Sequence, residues 1–79
     1  MPVPLPTPAS LGHVVRQHRT ARELTLEALA ELAGINVTYL SDIERGRANP
    51  SVFKLGGIAT ALEVRVSDLL REAESSAHE

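Results

Sequence analysis

Apolar residues recur along most of the chain at steps of three and four, the spacing of residues on one face of an α-helix. Glycine, proline and short polar side chains divide this pattern into five segments, and no segment alternates as a β-strand does. We therefore predict an all-α fold of five short helices. The positions expected to face the core are Leu11, Val14, Val15 and His18 in the first helix, Leu26, Leu29, Ala30 and Ala33 in the second, Val37, Leu40 and Ile43 in the third, Val52, Leu55, Ile58, Ala59 and Leu62 in the fourth, and Leu69 and Leu70 in the fifth.

Each predicted helix begins after a residue that can accept a hydrogen bond from its first turn, where the backbone N–H groups have no partner within the helix. Gly34, where a left-handed residue is favoured, ends the second helix, and Gly46 ends the third. Gly56 and Gly57 fall inside the fourth helix, and we expect close packing against a neighbour to explain them. The predicted N-caps of the five helices are Thr7, Thr25, Asn36, Ser51 and Ser67.

The length of 79 residues is enough for one domain. We assign residues 1–7 to a proline-rich flexible arm, residues 8–73 to the folded domain and residues 74–79 to a polar C-terminal tail. The apolar residues are mostly aliphatic, with a single Phe53 and a single Tyr39, which suits packed helices better than a β-sandwich.

The net charge of −2 argues against a polyanionic partner, but the charges are unevenly distributed. Residues 1–62 carry six basic and five acidic side chains, whereas residues 63–79 carry two basic and five acidic ones. Because the acidic end sets the sign of the total, the rest of the chain can still form a locally positive surface.

Several classes of function lack the residues they need. The chain has no cysteine, which excludes disulfides and thiolate metal sites. His13 and His18 are five residues apart, on different sides of a helix, and no Ser–His–acid set is evident. We expect no enzymatic activity, metal, cofactor or small-molecule ligand. No apolar run approaches the roughly 18–20 residues of a membrane span and no secretory signal is recognisable, which indicates a cytoplasmic protein without a membrane partner.

The junction of the second and third helices is the most informative feature. Gly34-Ile35-Asn36 leaves only three residues between two short helices, one of which supplies a glycine stop and the other a cap. So short a connection favours a sharp turn, as in a helix-turn-helix, whose second helix can enter the major groove of DNA. Small helix pairs with glycine turns are common, so this geometry alone leaves the function open.

A longer stretch of the chain resembles the Cro/CI-type helix-turn-helix family of bacterial and phage regulators. The matching motifs are Leu29-Ala30, Gly34-Ile35, the run YLSDIERGR over residues 39–47, Asn49-Pro50-Ser51 and Ile58-Ala59, within about 60 of the 79 residues. The run TYLSDIERGRANPS is also similar to controller proteins of restriction–modification systems. The resemblance implies a compact five-helix lambda-repressor-like domain, with the helix-turn-helix at helices 2 and 3, that binds double-stranded DNA.

The resemblance also implies roles for individual residues, with the third helix as the recognition helix. Thr38 can donate to or accept from base edges, Val37 can contact a thymine methyl group, and Asp42 can accept from a cytosine amino group. Tyr39 either lays its ring on the DNA backbone or packs over the second helix. The expected base-reading residues are Asn36, Val37, Thr38, Ser41 and Asp42, and the expected phosphate-binding residues are Tyr39, Arg45, Arg47, Asn49, Ser51 and Lys54.

Two further positions follow from the family pattern. Arg19 and Glu44 stand where members place an ion pair that fixes the recognition helix to the scaffold. Leu26 stands where members often place a glutamine that hydrogen-bonds a phosphate and braces the recognition helix. Leucine can do neither, so this brace is absent or is supplied by Thr25 or a backbone N–H.

The favoured function is a sequence-specific DNA-binding transcriptional regulator that acts as a homodimer on a palindromic operator, with a restriction–modification controller as one form of it. The dimer is expected to form through late apolar residues that the monomer core cannot all cover, which are Val64, Val66, Leu69 and Leu70. The alternative is a protein-interaction module that reuses the fold, such as an antitoxin. The acidic tail and the proline arm would favour that alternative.

Overall fold

The computed structural model describes residues 4–77, which form five α-helices and no strand. The helices are α1 (Pro8–Ala21), α2 (Leu26–Ala33), α3 (Val37–Glu44), α4 (Val52–Ala61) and α5 (Val66–Ala77). The prediction of five helices is confirmed. Residues 4–7 of the predicted arm are not helical. Its residues 1–3, and residues 78–79 of the predicted tail, lie outside the described part of the chain.

Four of the five predicted N-caps are confirmed. Thr7 and Ser10 cap α1 reciprocally, because each side-chain oxygen accepts the backbone N–H of the other residue, at 3.0 and 2.8 Å. The Thr25 hydroxyl accepts from the Ala28 N–H at 3.0 Å, and the Ser51 hydroxyl accepts from the Lys54 N–H at 3.1 Å. The Asn36 side chain caps α3 through the N–H groups of Thr38 and Tyr39. These four helices therefore start where a short polar side chain satisfies the first turn.

The last helix differs from its prediction at both ends. α5 begins at Val66, so Ser67 lies inside the first turn and is not the cap. The Asp68 carboxylate instead accepts the Arg65 N–H at 3.1 Å. α5 also runs through the predicted tail as far as Ala77, and its buried stripe continues from Leu69 to Ala73, which is fully buried.

The core lies inside a ring of helices in which each helix packs against two others. In order around this ring, α1 contacts α3, α3 contacts α2, α2 contacts α4, α4 contacts α5, and α5 returns to α1. Twelve of the residues expected to face the core are buried: Leu11, Val14, Val15, Leu29, Ala30, Leu40, Ile43, Leu55, Ile58, Ala59, Leu62 and Leu69. The expectation that Val37 and Val52 face inward is wrong, because both lie in first turns that extend past the core and are 37% and 67% exposed.

Two helix contacts depend on the absence of a side chain. A Cβ atom placed on Gly12 of α1 would lie 2.7 Å from the carbonyl oxygen of Glu44 and closer still to that of Ile43. The backbone of α1 therefore packs directly against the backbone at the end of α3. A Cβ on Gly57 would lie 2.9 Å from the Ala33 carbonyl oxygen, whereas one on Gly56 would meet no atom within 4 Å. Close packing therefore explains Gly57 but not Gly56.

The helices are too short or too polar for a bilayer: within residues 4–77, none could cross a membrane.

Candidate nucleic-acid interface

The turn between α2 and α3 is formed by residues 34–36. Gly34 has φ +70° and ψ 32°, a left-handed conformation that glycine adopts without steric cost. The Ile35 N–H donates to the Ala30 carbonyl at 3.0 Å, and the half-buried Ile35 side chain packs against the core. Asn36 then caps α3. Each residue of the turn therefore has a structural task, and together they give the predicted helix-turn-helix connection.

α3 has one buried face and one open face. Leu40 and Ile43 are fully buried, while Val37 and Thr38 are exposed and Ser41 is half-buried. The expected base-reading residues, Asn36, Val37, Thr38, Ser41 and Asp42, therefore lie together along the open face and the first turn of α3.

Two residues of this segment are already engaged within the domain. The side-chain carbonyl oxygen of Asn36 accepts the N–H groups of Thr38 at 2.7 Å and Tyr39 at 3.3 Å, which leaves its amide N–H groups as the part that can reach a base. The Tyr39 ring is half-buried and packs against the core. That position agrees with the packing alternative for Tyr39.

The expected phosphate-binding residues other than Tyr39 lie in sequence directly after α3. Arg45, Arg47 and Lys54 are exposed, and none of them joins an ion pair within residues 4–77. The N–H groups of Val52 and Phe53, in the first turn of α4, have no hydrogen-bond acceptor in the same part of the chain. Free N–H groups at a helix start attract anions together with the helix dipole. The remaining members, Asn49 and Ser51, are also exposed.

Sequence reasoning missed an exposed aromatic residue at this position. Phe53 is 90% exposed and stands beside Lys54 on the first turn of α4. The apolar pattern of α4 gave no signal for it, because the residue lies outside the predicted inward face.

Arg19 and Glu44 form the pair that the resemblance implies. Arg19 Nε donates to Glu44 Oε2 at 2.7 Å, and a second guanidinium nitrogen, Nη2, donates to Oε1 at 3.0 Å. The third, Nη1, donates to the Leu24 carbonyl oxygen at 2.8 Å. The hydrogen bond to Glu44 raises the pKa of Arg19 above its ordinary value, although burial acts in the opposite direction. The pair ties α1 and the α1–α2 loop to the last residue of α3.

The residues expected at a dimer interface do not all reach the surface. Leu69 is fully buried in the monomer core and has no surface to offer a partner, so its assignment to the interface is wrong. Val64, Val66 and Leu70 are half-buried at the edge of the core, where α4 turns into α5.

Comparisons with known proteins agree with this geometry. A family model described as helix-turn-helix (HTH_3) matches residues 15–69. The HTH-type transcriptional regulator DdrOP3 of Deinococcus deserti is 45% identical over 60 residues, which cover 76% of this chain and 46% of that protein. The crystal structure of the clp gene regulator ClgR from Corynebacterium glutamicum superposes with a TM-score of 0.87 at 38% identity, covering 98% of this chain and 81% of the other.

A controller protein is also among the similar structures. The restriction–modification controller protein C.AhdI from Aeromonas hydrophila superposes with a TM-score of 0.78 at 35% identity, covering 80% of this chain and 96% of the other. Three curated relatives are longer proteins, of which the chain spans 46%, 44% and 63%. The lambda-repressor-like five-helix fold is confirmed by these structures.

Proposed function

Since the chain belongs to the helix-turn-helix family of Cro/CI-like regulators, we propose that it is a sequence-specific DNA-binding regulator of transcription. The observation that carries the proposal is the open face of α3, which is followed in the sequence by three exposed cationic side chains that have no ion-pair partner within residues 4–77. A helix with a buried and a polar open face fits the major groove, and flanking cations with free helix N–H groups fit the phosphates on either side.

In this proposal the base-reading and phosphate-binding tasks fall on different residues. Thr38 and Val37 are exposed on the first turn of α3, which is the part of a recognition helix that contacts base edges. Arg47 and Lys54 are exposed in the α3–α4 loop and the first turn of α4, and a long cation at such a place neutralises phosphates without reading sequence.

The active form in this proposal is a homodimer on a palindromic operator. A single α3 spans too few base pairs to select one site in a genome, and two-fold symmetry would place two copies of α3 about 34 Å apart, one turn of B-DNA. The half-buried apolar residues Val64, Val66 and Leu70 support an interface at the α4–α5 edge, because pairing them across a two-fold axis would remove their remaining apolar surface from water.

The first test is the dependence of DNA affinity on salt. With three or four phosphates neutralised per subunit, a dimer covers about 6–8, and we expect a slope of log affinity against log salt of about −5 to −7. Arg47→Gln and Lys54→Gln should each make the slope shallower by about one per contact removed, on operator and random DNA alike. Arg71→Gln is the matched control, because Arg71 is an exposed arginine on α5. A wild-type slope near zero would refute DNA binding.

The second test separates reading from positioning. An operator selected from randomised duplexes should lose about 1–3 kcal/mol of binding free energy per half-site in Thr38→Ala, with little change on random DNA. If Thr38→Ala weakened both kinds of DNA equally, α3 would not read sequence through this residue.

The controller role is a finer proposal that rests on the similarity to C.AhdI, of whose chain 96% is covered. Genes for a DNA methyltransferase and an endonuclease beside the gene for this chain would support it. Their absence would contradict the controller role and leave the general regulator. A cytoplasmic site of action goes with either form.

A further inference from the structure

A small cavity lies between α1, the start of α2 and the end of α3, and Arg45 is the one expected phosphate-binding residue that lines it. Its volume is about 160 Å³. This is below the roughly 300–1,000 Å³ of sites for drug-sized ligands, but it leaves space for a small anion. The residues that line it are Arg16, Arg19, Leu26, Ser41, Glu44 and Arg45.

The charges around the cavity do not balance. Glu44 is its one carboxylate, and both of its oxygens accept hydrogen bonds from Arg19, so this pair is internally neutral. Arg16 and Arg45 are exposed and join no ion pair within residues 4–77. Two arginines without an ion-pair partner in the described residues therefore line the cavity, and their charges would attract an anion.

The chemistry of the wall suits a phosphate group in particular. The guanidinium group is a planar fork whose N–H donors match two oxygens of a phosphate, and two such forks can hold one anion from two sides. The half-buried Ser41 hydroxyl can donate a further hydrogen bond. The Leu26 side chain is apolar and cannot donate, so the side-chain donors on the wall are those of the arginines and Ser41.

The position of the cavity also matters. Ser41 lies on α3, Arg45 directly follows this helix one turn later, and Thr38 is one turn before Ser41. The cavity therefore borders the open face of α3, where a DNA strand would pass. We propose that this cavity binds a phosphate group between Arg16 and Arg45, so that Arg16 supplies from α1 the anchoring that a glutamine at position 26 would otherwise provide. The assignment of that phosphate to a DNA strand rests on the proposed function, whereas a free phosphorylated compound would be bound by the same groups.

The test begins without DNA. The ¹⁵N-labelled protein is titrated with inorganic phosphate at constant ionic strength, and we expect saturable shifts at Arg16, Ser41 and Arg45. Arg16→Gln should weaken phosphate binding about tenfold, the loss of one charge-assisted contact. Arg71→Gln, the exposed arginine on α5, should leave it unchanged. Because Arg16 is exposed, its substitution is expected to leave the helical circular dichroism spectrum intact. Shifts that are absent, non-saturable or identical in Arg16→Gln would overturn the proposal.

A second arm identifies the source of the phosphate. If it is a DNA phosphate, Arg16→Gln should make the salt slope shallower by about one per contact, and Arg16→Lys should keep the slope while weakening binding, since lysine keeps the charge but lacks the fork. An unchanged DNA slope together with saturable phosphate binding would assign the site to a free phosphorylated compound. If the wild-type protein bound no DNA, the proposed function would fail, and the phosphate titration would still decide the cavity.

Discussion

The contact between α1 and the end of α3 at Gly12 allows a sharp prediction, because adding one methyl group there has two opposing effects. Gly12 lies inside α1, where alanine is favoured over glycine by about 0.8–1 kcal/mol. The new Cβ would, however, lie 2.7 Å from the Glu44 carbonyl oxygen and closer to that of Ile43. Both obstacles are backbone atoms, so no side-chain rotation can relieve the overlap.

The overlap should exceed the gain in helix propensity. Overpacking a core typically costs 1–3 kcal/mol, and Gly12→Ala should reach about 3 kcal/mol because Ile43 is fully buried and Glu44 is held by Arg19. Subtracting the helical gain leaves a net loss of about 2 kcal/mol in the free energy of unfolding. For a domain of this size that corresponds to a fall in Tm of roughly 8–16 °C.

Urea and thermal unfolding followed by circular dichroism would measure this loss. Gly56→Ala is the matched control, since Gly56 is also helical and its Cβ would meet no atom within 4 Å. It should raise the free energy of unfolding by about 0.5–1 kcal/mol. If Gly12→Ala were as stable as the wild type, while Gly56→Ala gained stability, the close approach of α1 and α3 would not limit the packing of the domain.

Three further predictions concern other contacts. Arg19→Ala and Glu44→Ala should each lower the free energy of unfolding, measured by urea denaturation, by about 3–5 kcal/mol. The double variant should lose less than the sum of the two single losses, and strictly additive losses would contradict the pairing. Leu69→Glu should unfold the domain in circular dichroism. Leu70→Glu should keep its helical spectrum, sediment as a monomer and bind the operator more weakly, and a Leu70→Glu variant that stays dimeric would contradict an interface at this residue. Asn36→Ala should lose about 1 kcal/mol of stability with an unchanged salt slope, and a shallower slope would show that Asn36 contacts phosphate.

The start of each helix could be predicted from the sequence largely because its signals are local. Thr25, Asn36 and Ser51 each act within three residues of their own position, so a cap can be recognised without knowing the fold. Gly34 likewise ends α2 through its own backbone conformation. The exception is Ser67. At the start of α5 it is the neighbouring Asp68 carboxylate that binds a backbone N–H, that of Arg65.

Features that depend on where helices meet could not be predicted in this way. Val52 has the spacing of an inward residue, yet only the packing of α4 shows that its first turn passes the edge of the core. Leu69 and Leu70 are adjacent in sequence, but one is fully buried and the other half-buried, and this depends on the orientation of α5. The sequence did not indicate a role for Arg16, because Arg16 and Arg45 line the same cavity only when α1 packs against α3.

The way α3 is held bears on how it could read DNA. α1 contacts the C-terminal end of α3 at two places. The carbonyl groups of Ile43 and Glu44 pack against Gly12, and the Glu44 carboxylate accepts hydrogen bonds from Arg19. Gly12 and Arg19 are about two helical turns apart, so the two contacts restrain both the position and the rotation of α3. Its first turn, with the exposed Thr38, projects from this fixed end. A recognition helix that is ordered before binding loses little conformational entropy when it docks. A larger share of the free energy of each base contact then distinguishes one sequence from another. Although α1 holds none of the proposed base-reading residues, it would therefore control the specificity of α3.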